Sequence, residues 1–197
     1  MTMDFNSYTG KQRSTDLIPN GTIAVLQIKV RPGGAGPGGW LKRSKNGDSE
    51  ALDCELTVIG GPCDKRKLWD LILTSGTTDG QQQMAESNQA KICAILESAR
   101  GIRPSDTSDA ARQARCTETY GDFDGLSFIG KIGVERGGAR PEGGTYPDKN
   151  KLLEAITPDH KAWQKPPGGT PGGSTPSGTT PSGTPSGAMI ARPNWGR

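Results

Sequence analysis

The segment from residue 51 to residue 73, ALDCELTVIGGPCDKRKLWDLIL, constrains the fold more than any other part of the chain. Its first half alternates apolar and polar side chains, which is typical of a strand with one buried face. The apolar members are Leu52, Cys54, Leu56 and Val58. Gly60-Gly61-Pro62 then stops the run, because glycine readily adopts positive φ and proline lacks a backbone donor. A second apolar run follows, so the segment predicts a β-hairpin.

The second strand of this hairpin has two different faces. Leu68 and Ile72 share one face, while Trp69, Leu71 and Leu73 share the other. Because two leucines lie on the same face as Trp69, we expect its ring to be buried in the core.

The rest of the chain up to residue 163 supplies further strands and one clear helix. We predict strands over 21–30, 126–135 and 151–156, and a helix over 81–100 that Asp79 caps and Gly101 ends. Met84, Ile92, Ile95, Leu96 and Ala99 fall on its apolar stripe. A shorter helix is predicted over 107–116. Between the first strand and the hairpin, residues 31–50 are predicted to form a long loop.

Five strands with a helix after the third have the element order of an OB-fold, β-β-β-α-β-β. We therefore expect a mainly β domain over 21–163, with one or two helices and an OB-fold-like five-stranded barrel. Residues 1–20 are expected to form an N-terminal arm.

The composition changes at residue 164. The segment 164–187 consists almost entirely of Gly, Pro, Ser and Thr, with recurring TPSG units. It has too few apolar side chains to offset the entropy of ordering, so we expect a disordered C-terminal linker. Residues 188–197 are different again, and we interpret them as a peptide motif that binds a partner protein. Its candidate contact residues are Arg192, Trp195 and Arg197.

The charge distribution is more informative than the net charge of +3, which arises entirely beyond residue 163. From Lys29 to Gly47 there are five basic residues and no acid. Lysine and arginine neutralise phosphates, and bases stack on aromatic rings, so this stretch is a candidate rim for single-stranded nucleic acid with Trp40 as an exposed platform. The candidate nucleic-acid-binding residues are Lys29, Arg31, Trp40, Lys42, Arg43, Lys45, Lys65, Arg66 and Lys67. The alternative is that these cations only keep a loop and a turn soluble.

Several classes of function lack a signature. The four cysteines form no CxxC pair, the segment GGAGPGG lacks the order of a phosphate-binding loop, and no nucleophile arrangement accompanies the single histidine. We therefore expect no enzyme activity, no metal and no cofactor. The polar first twenty residues and the lack of a long apolar run predict a cytoplasmic protein without a membrane partner.

The hairpin stretch from Cys54 to Trp69 resembles a phage-related family of single-stranded-DNA-binding proteins. The matching positions are Glu55, Gly61, Pro62, Arg66, Lys67 and Trp69. The resemblance implies sequence-independent binding of single-stranded DNA during phage replication or recombination, with contacts to proteins of those processes through the tail. The alternative function is an adaptor whose β-domain and tryptophan motif bind proteins; the neutral charge of residues 1–163 favours it. The sequence does not define the oligomeric state.

Overall fold

The computed structural model describes residues 16–167 of the 197-residue chain. The strands in this range are β1 (Thr22–Val30), β2 (Gly34–Ala35), β3 (Leu41–Arg43), β4 (Ser49–Ile59), β5 (Lys67–Gly76), β6 (Ser127–Glu135) and β7 (Lys149–Ala155). The α-helices are α1 (Asp79–Arg100) and α2 (Asp109–Ala114), and short 3-10 helices span Pro37–Gly39 and Tyr120–Phe123. Most of the predicted arm and linker, and the motif with Arg192, Trp195 and Arg197, lie outside the described residues.

The strands form one open antiparallel sheet in the order β2-β3-β4-β1-β6-β7, with β5 paired to the other side of β4. The long strand β4 therefore has three partners, because β3 and β1 pair with successive parts of it. The predicted mainly β class is confirmed, with five long strands and a helix after the third. The predicted long loop after β1 contains the short strands β2 and β3.

Strands β1 and β4 bury one face each, as the sequence predicted, whereas β6 is buried on both faces over most of its length. Leu26, Ile28 and Val30 of β1 lie against the apolar side chains of β4, and Phe128 and Ile132 of β6 complete the same core. Helix α1 packs against β5, β6 and β7. The core also takes in Ile18, whose backbone N–H donates to Oδ1 of Asn150 in β7 and whose carbonyl accepts from its Nδ2.

Helix α1 begins at Asp79, two residues before its predicted start, and its cap lies one residue before the predicted one. The N-cap is Thr78, whose hydroxyl accepts from the backbone N–H of Gln81, while the Gln81 side chain accepts from the N–H of Thr78. The helix ends as predicted at Gly101, which has a φ of 69°. The predicted burial of Met84 is wrong, because 59% of this residue is exposed where the first turns of α1 lie beside a surface groove.

The two edge strands β5 and β7 approach one another without pairing. Their Cα atoms come within 8 Å, but no backbone ladder joins them. A side chain from α1 connects them instead: Lys91 Nζ lies 2.5 Å from Oδ2 of Asp70 in β5 and 3.0 Å from the carbonyl oxygen of Leu152 in β7. Because both partners of the ion pair are largely buried, this contact is shielded from water.

The Lys91→Met variant should be less stable than the parent chain by about 2–3 kcal/mol, because it leaves the Asp70 carboxylate and the Leu152 carbonyl without their donor. Urea denaturation measures the difference. Hydrogen exchange should accelerate in β5 and β7 more than in β1. A Lys91→Met protein with unchanged stability and exchange would show that the two strands hold together without this contact.

Candidate nucleic-acid interface

The solvent-facing side of β1, β4 and β5 forms an ordered array of side chains. Antiparallel pairing places Lys29, Glu55 and Trp69 in one row across the three strands. The row on one side contains Gln27, Thr57 and Lys67, and the row on the other contains Asp53 and Leu71. The buried alternate residues of β4 fix which side chains point outward, so the core determines this surface.

Two carboxylates organise the cations of this face. Asp53 accepts from Arg31, with a nitrogen–oxygen distance of 2.6 Å, and its other oxygen lies 3.5 Å from Lys42 Nζ. Glu55 lies 2.5 Å from Lys67 Nζ. Lys29 is the neighbour of Glu55 across the β1–β4 ladder. Four cations thus surround two carboxylates, which leaves this face positively charged.

The same contacts change the acidity of Glu55. The hydrogen bond from Lys67, opposed in part by burial and reinforced by the charges of Lys67, Lys29 and Arg31, holds the pKa of Glu55 below its usual value. The ionised carboxylate holds the ammonium group of Lys67 on the strand face. An ion pair this accessible contributes little to stability, but it fixes the position of a cation.

Trp69 lies on this positive face, which corrects the prediction that its ring is in the core. The residue is 53% exposed, and Leu71 on the same face is 60% exposed. Strand β5 buries Leu68 and Ile72 instead, so both faces of the strand carry large apolar side chains and only one of them meets the core. Trp69 therefore presents an aromatic ring to solvent, with Glu55 as its cross-strand neighbour and Lys67 two residues away on the same face of β5.

Trp40, in contrast to Trp69, is partly buried against the core. It follows the 3-10 helix Pro37–Gly39 and packs against the hydrophobic core. A Cβ atom at Gly121 would overlap its ring, and a Cβ at Gly38 would come within 2.9 Å of it. The ring is thus held between two glycines and is only partly exposed, so the prediction of an exposed Trp40 platform is wrong.

The nine predicted nucleic-acid-binding residues fall into separate groups. Lys29, Arg31, Lys42 and Lys67 share the outer sheet face. Arg43 pairs with Glu50, and the exposed Lys45 lies in the turn before β4. Lys65 and Arg66 lie in the turn after β4. At about 3.3 Å per residue, the eleven residues of β4 separate the two turns by roughly 30 Å.

A further exposed ring lies in the hairpin between β6 and β7, residues 136–148, to which sequence analysis assigned no site. Tyr146 is 52% exposed, and the guanidinium of Arg140 lies 4.9 Å from the centre of its ring. An isolated bridge between Ala139 and Thr145 orders the hairpin. The sequence signal that could have indicated this ring is the arginine and the tyrosine on opposite sides of Gly143-Gly144.

Comparison with known proteins adds no relative: no protein-family model matches the chain, and no curated protein matches its sequence. In the described range, 16–167, no helix combines the length and apolar character needed to cross a membrane.

The two tryptophans should differ in their effect on stability. Trp40→Ala removes a ring packed on the core and should lower the free energy of unfolding by about 2–3 kcal/mol. Trp69→Ala removes a largely exposed ring and should cost less than about 1 kcal/mol. Urea denaturation of the two variants and the parent measures both losses in the free energy of unfolding. A larger loss for Trp69→Ala than for Trp40→Ala would contradict the placement of Trp40 on the core and of Trp69 on the surface.

Proposed function

We propose that this chain is a non-catalytic protein that binds single-stranded DNA without sequence preference during phage DNA replication or recombination. In this proposal the sheet is an OB-fold-like, partly open barrel, and the strand face around Trp69 is the binding surface. Residues 188–197, with Arg192, Trp195 and Arg197, are the proposed contact for a replication or recombination protein.

The observation that carries the proposal is the exposed Trp69 ring on a sheet face that also carries four cations, Lys29, Arg31, Lys42 and Lys67. Binding of single strands without sequence readout combines stacking of bases on aromatic side chains with neutralisation of the phosphates. Lys67 lies on the same face of β5, two residues before Trp69, and Lys29 lies in the row of Trp69, beyond Glu55. Arg31 and Lys42 add positive charge around Asp53. In OB-folds this face, together with the loops beside it, contacts oligonucleotides.

The cations in the ion pairs of this face are exposed enough to contact the phosphates of a bound strand. Arg31, Lys42 and Lys67 retain between 42% and 59% side-chain exposure, so phosphate oxygens can approach their donors from solvent. Asp53 and Glu55 disfavour a ligand that presses closely on β4, which directs phosphates toward the ends of the cationic side chains.

The adaptor function uses the same exposed apolar side chains, Trp69 and Leu71, for contact with a protein. The four cations on the same sheet face as Trp69 favour DNA, because core positions of protein interfaces are depleted of lysine. The two functions also differ in their response to salt, since release of counterions from a polyanion makes DNA affinity fall steeply with ionic strength.

Binding to fluorescently labelled oligo-dT of about twenty nucleotides, measured by anisotropy from 50 to 200 mM salt, tests the proposal. The parent chain should bind, with affinity that falls as salt rises. Trp69→Ala should weaken binding about tenfold or more, because stacking is worth about 1–3 kcal/mol per base, and Trp69→Phe should restore part of it.

The charge contribution is tested with two matched double variants. Replacing Lys29 and Lys67 with Gln should reduce the slope of log affinity against log salt by about 1.4, the value for two phosphate contacts on a single strand. Replacing Lys161 and Lys165, which are exposed outside the strand face, should leave the slope unchanged. Absence of binding at 50 mM salt, or equal effects of the two variants, would refute the proposal.

A further inference from the structure

A groove lies between the unpaired edges of β5 and β7, under the first turns of α1. Its volume is about 790 Å³, within the range of sites that hold small organic groups. Four of its lining residues are large, apolar and exposed: Trp69, Leu71, Met84 and Leu153. No other group of described residues brings together so many exposed apolar side chains, and exposed patches of this kind mark binding surfaces.

The groove continues the strand face around Trp69. On β7 the buried Leu152 alternates with Lys151 and Leu153, which therefore project to the outer side of the sheet, as Trp69 and Leu71 do on β5. Trp69 belongs to both surfaces. A nucleic-acid strand that stacks on Trp69 and runs across β5 away from β4 next meets β7.

Lysines at one end of the groove supply a site for phosphate. Asp70 and Glu154 each pair with a single lysine, Lys91 and Lys131. Glu135, in contrast, lies 3.5 Å from Lys149 Nζ and 3.8 Å from Lys151 Nζ, so one carboxylate oxygen serves two ammonium groups. This leaves an excess positive charge beside the apolar surface, and Lys149 and Lys151 remain 68% and 41% exposed.

We infer that this groove binds a nucleotide of the single strand, with its base against Trp69, Leu71 and Leu153 and its phosphate at Lys149 and Lys151. The inference rests on the proposed function, and it extends the binding surface across the gap between β5 and β7 onto elements that sequence analysis did not assign. An apolar surface with a pair of lysines at one end has the chemistry of a base joined to a phosphate. The path then leads to the hairpin with Arg140 and Tyr146, because β7 begins where that hairpin ends.

The charge of the groove is tested with the Lys149→Gln/Lys151→Gln double variant. Binding to labelled oligo-dT of about twenty nucleotides should weaken about tenfold, and the salt slope should fall by about 1.4 relative to the parent chain. If this variant binds with the parent slope while Trp69→Ala loses affinity, the strand face binds DNA but the groove does not. If the parent chain itself does not bind, the proposed function fails and this inference fails with it.

The apolar surface is tested with Leu153→Asp and a matched control, Ile23→Asp. These residues are 42% and 39% exposed, but Ile23 lies on β1 away from the groove. Leu153→Asp should weaken oligo-dT binding at least tenfold, and Ile23→Asp should not change it; equal thermal denaturation of both variants and the parent verifies the fold. Sedimentation of the same samples detects self-association. If Leu153→Asp changes self-association and leaves DNA affinity at the parent value, the groove is a protein contact and the inference is wrong.

Discussion

The alternation of side chains along β4 is the constraint on which the rest of the structure depends. One set of its residues, including Cys54 and Leu56, is fully buried against β1, β5 and the core. The other set places Asp53 and Glu55 outward, where they position the cations of three neighbouring strands. A shift of one residue in this register would exchange the two sets, so the core and the candidate interface are specified by the same pattern.

The second determinant is the incomplete closure of the sheet. Strands β5 and β7 are joined through Lys91 of α1 instead of a backbone ladder, and the space between them is the groove. A ladder at this point would bring the two strands to the usual separation of about 4.8 Å and leave little room between their side chains. Lys91 thus connects the two strands while their backbones remain unpaired, and it lines the groove between them.

The elements of the fold could be predicted from sequence, because they arise from local patterns. The alternation in β1 and β4, the turn at Gly60-Gly61-Pro62 and the end of α1 at Gly101 all act over a few residues. The pairing of β4 with three strands could not be predicted, since register between distant segments depends on the whole core. The contact of Lys91 with both β5 and β7 has no signal in the local sequence either, because its two partners are distant in the chain.

The candidate interface was predicted in part. Charge patterning selected two separate basic stretches, and the structure brings Lys29, Arg31 and Lys42 of the first and Lys67 of the second onto one sheet face. The two tryptophans were assigned to the wrong sides. Strand β5 has apolar side chains on both faces, so the alternation of its residues does not show which face meets the core. The partial burial of Trp40 depends on Gly121, which is eighty-one positions away in the chain.

The central claim is that single-stranded DNA contacts the outer face of β5 at Trp69. Ultraviolet crosslinking of oligo-dT to the full chain, followed by mass spectrometry of the crosslinked peptides, measures this contact directly. Crosslinks are expected within β5, at or beside Trp69, and further crosslinks are expected in β7. Crosslinks confined to the segment around Trp40, with none in β5, would contradict this claim.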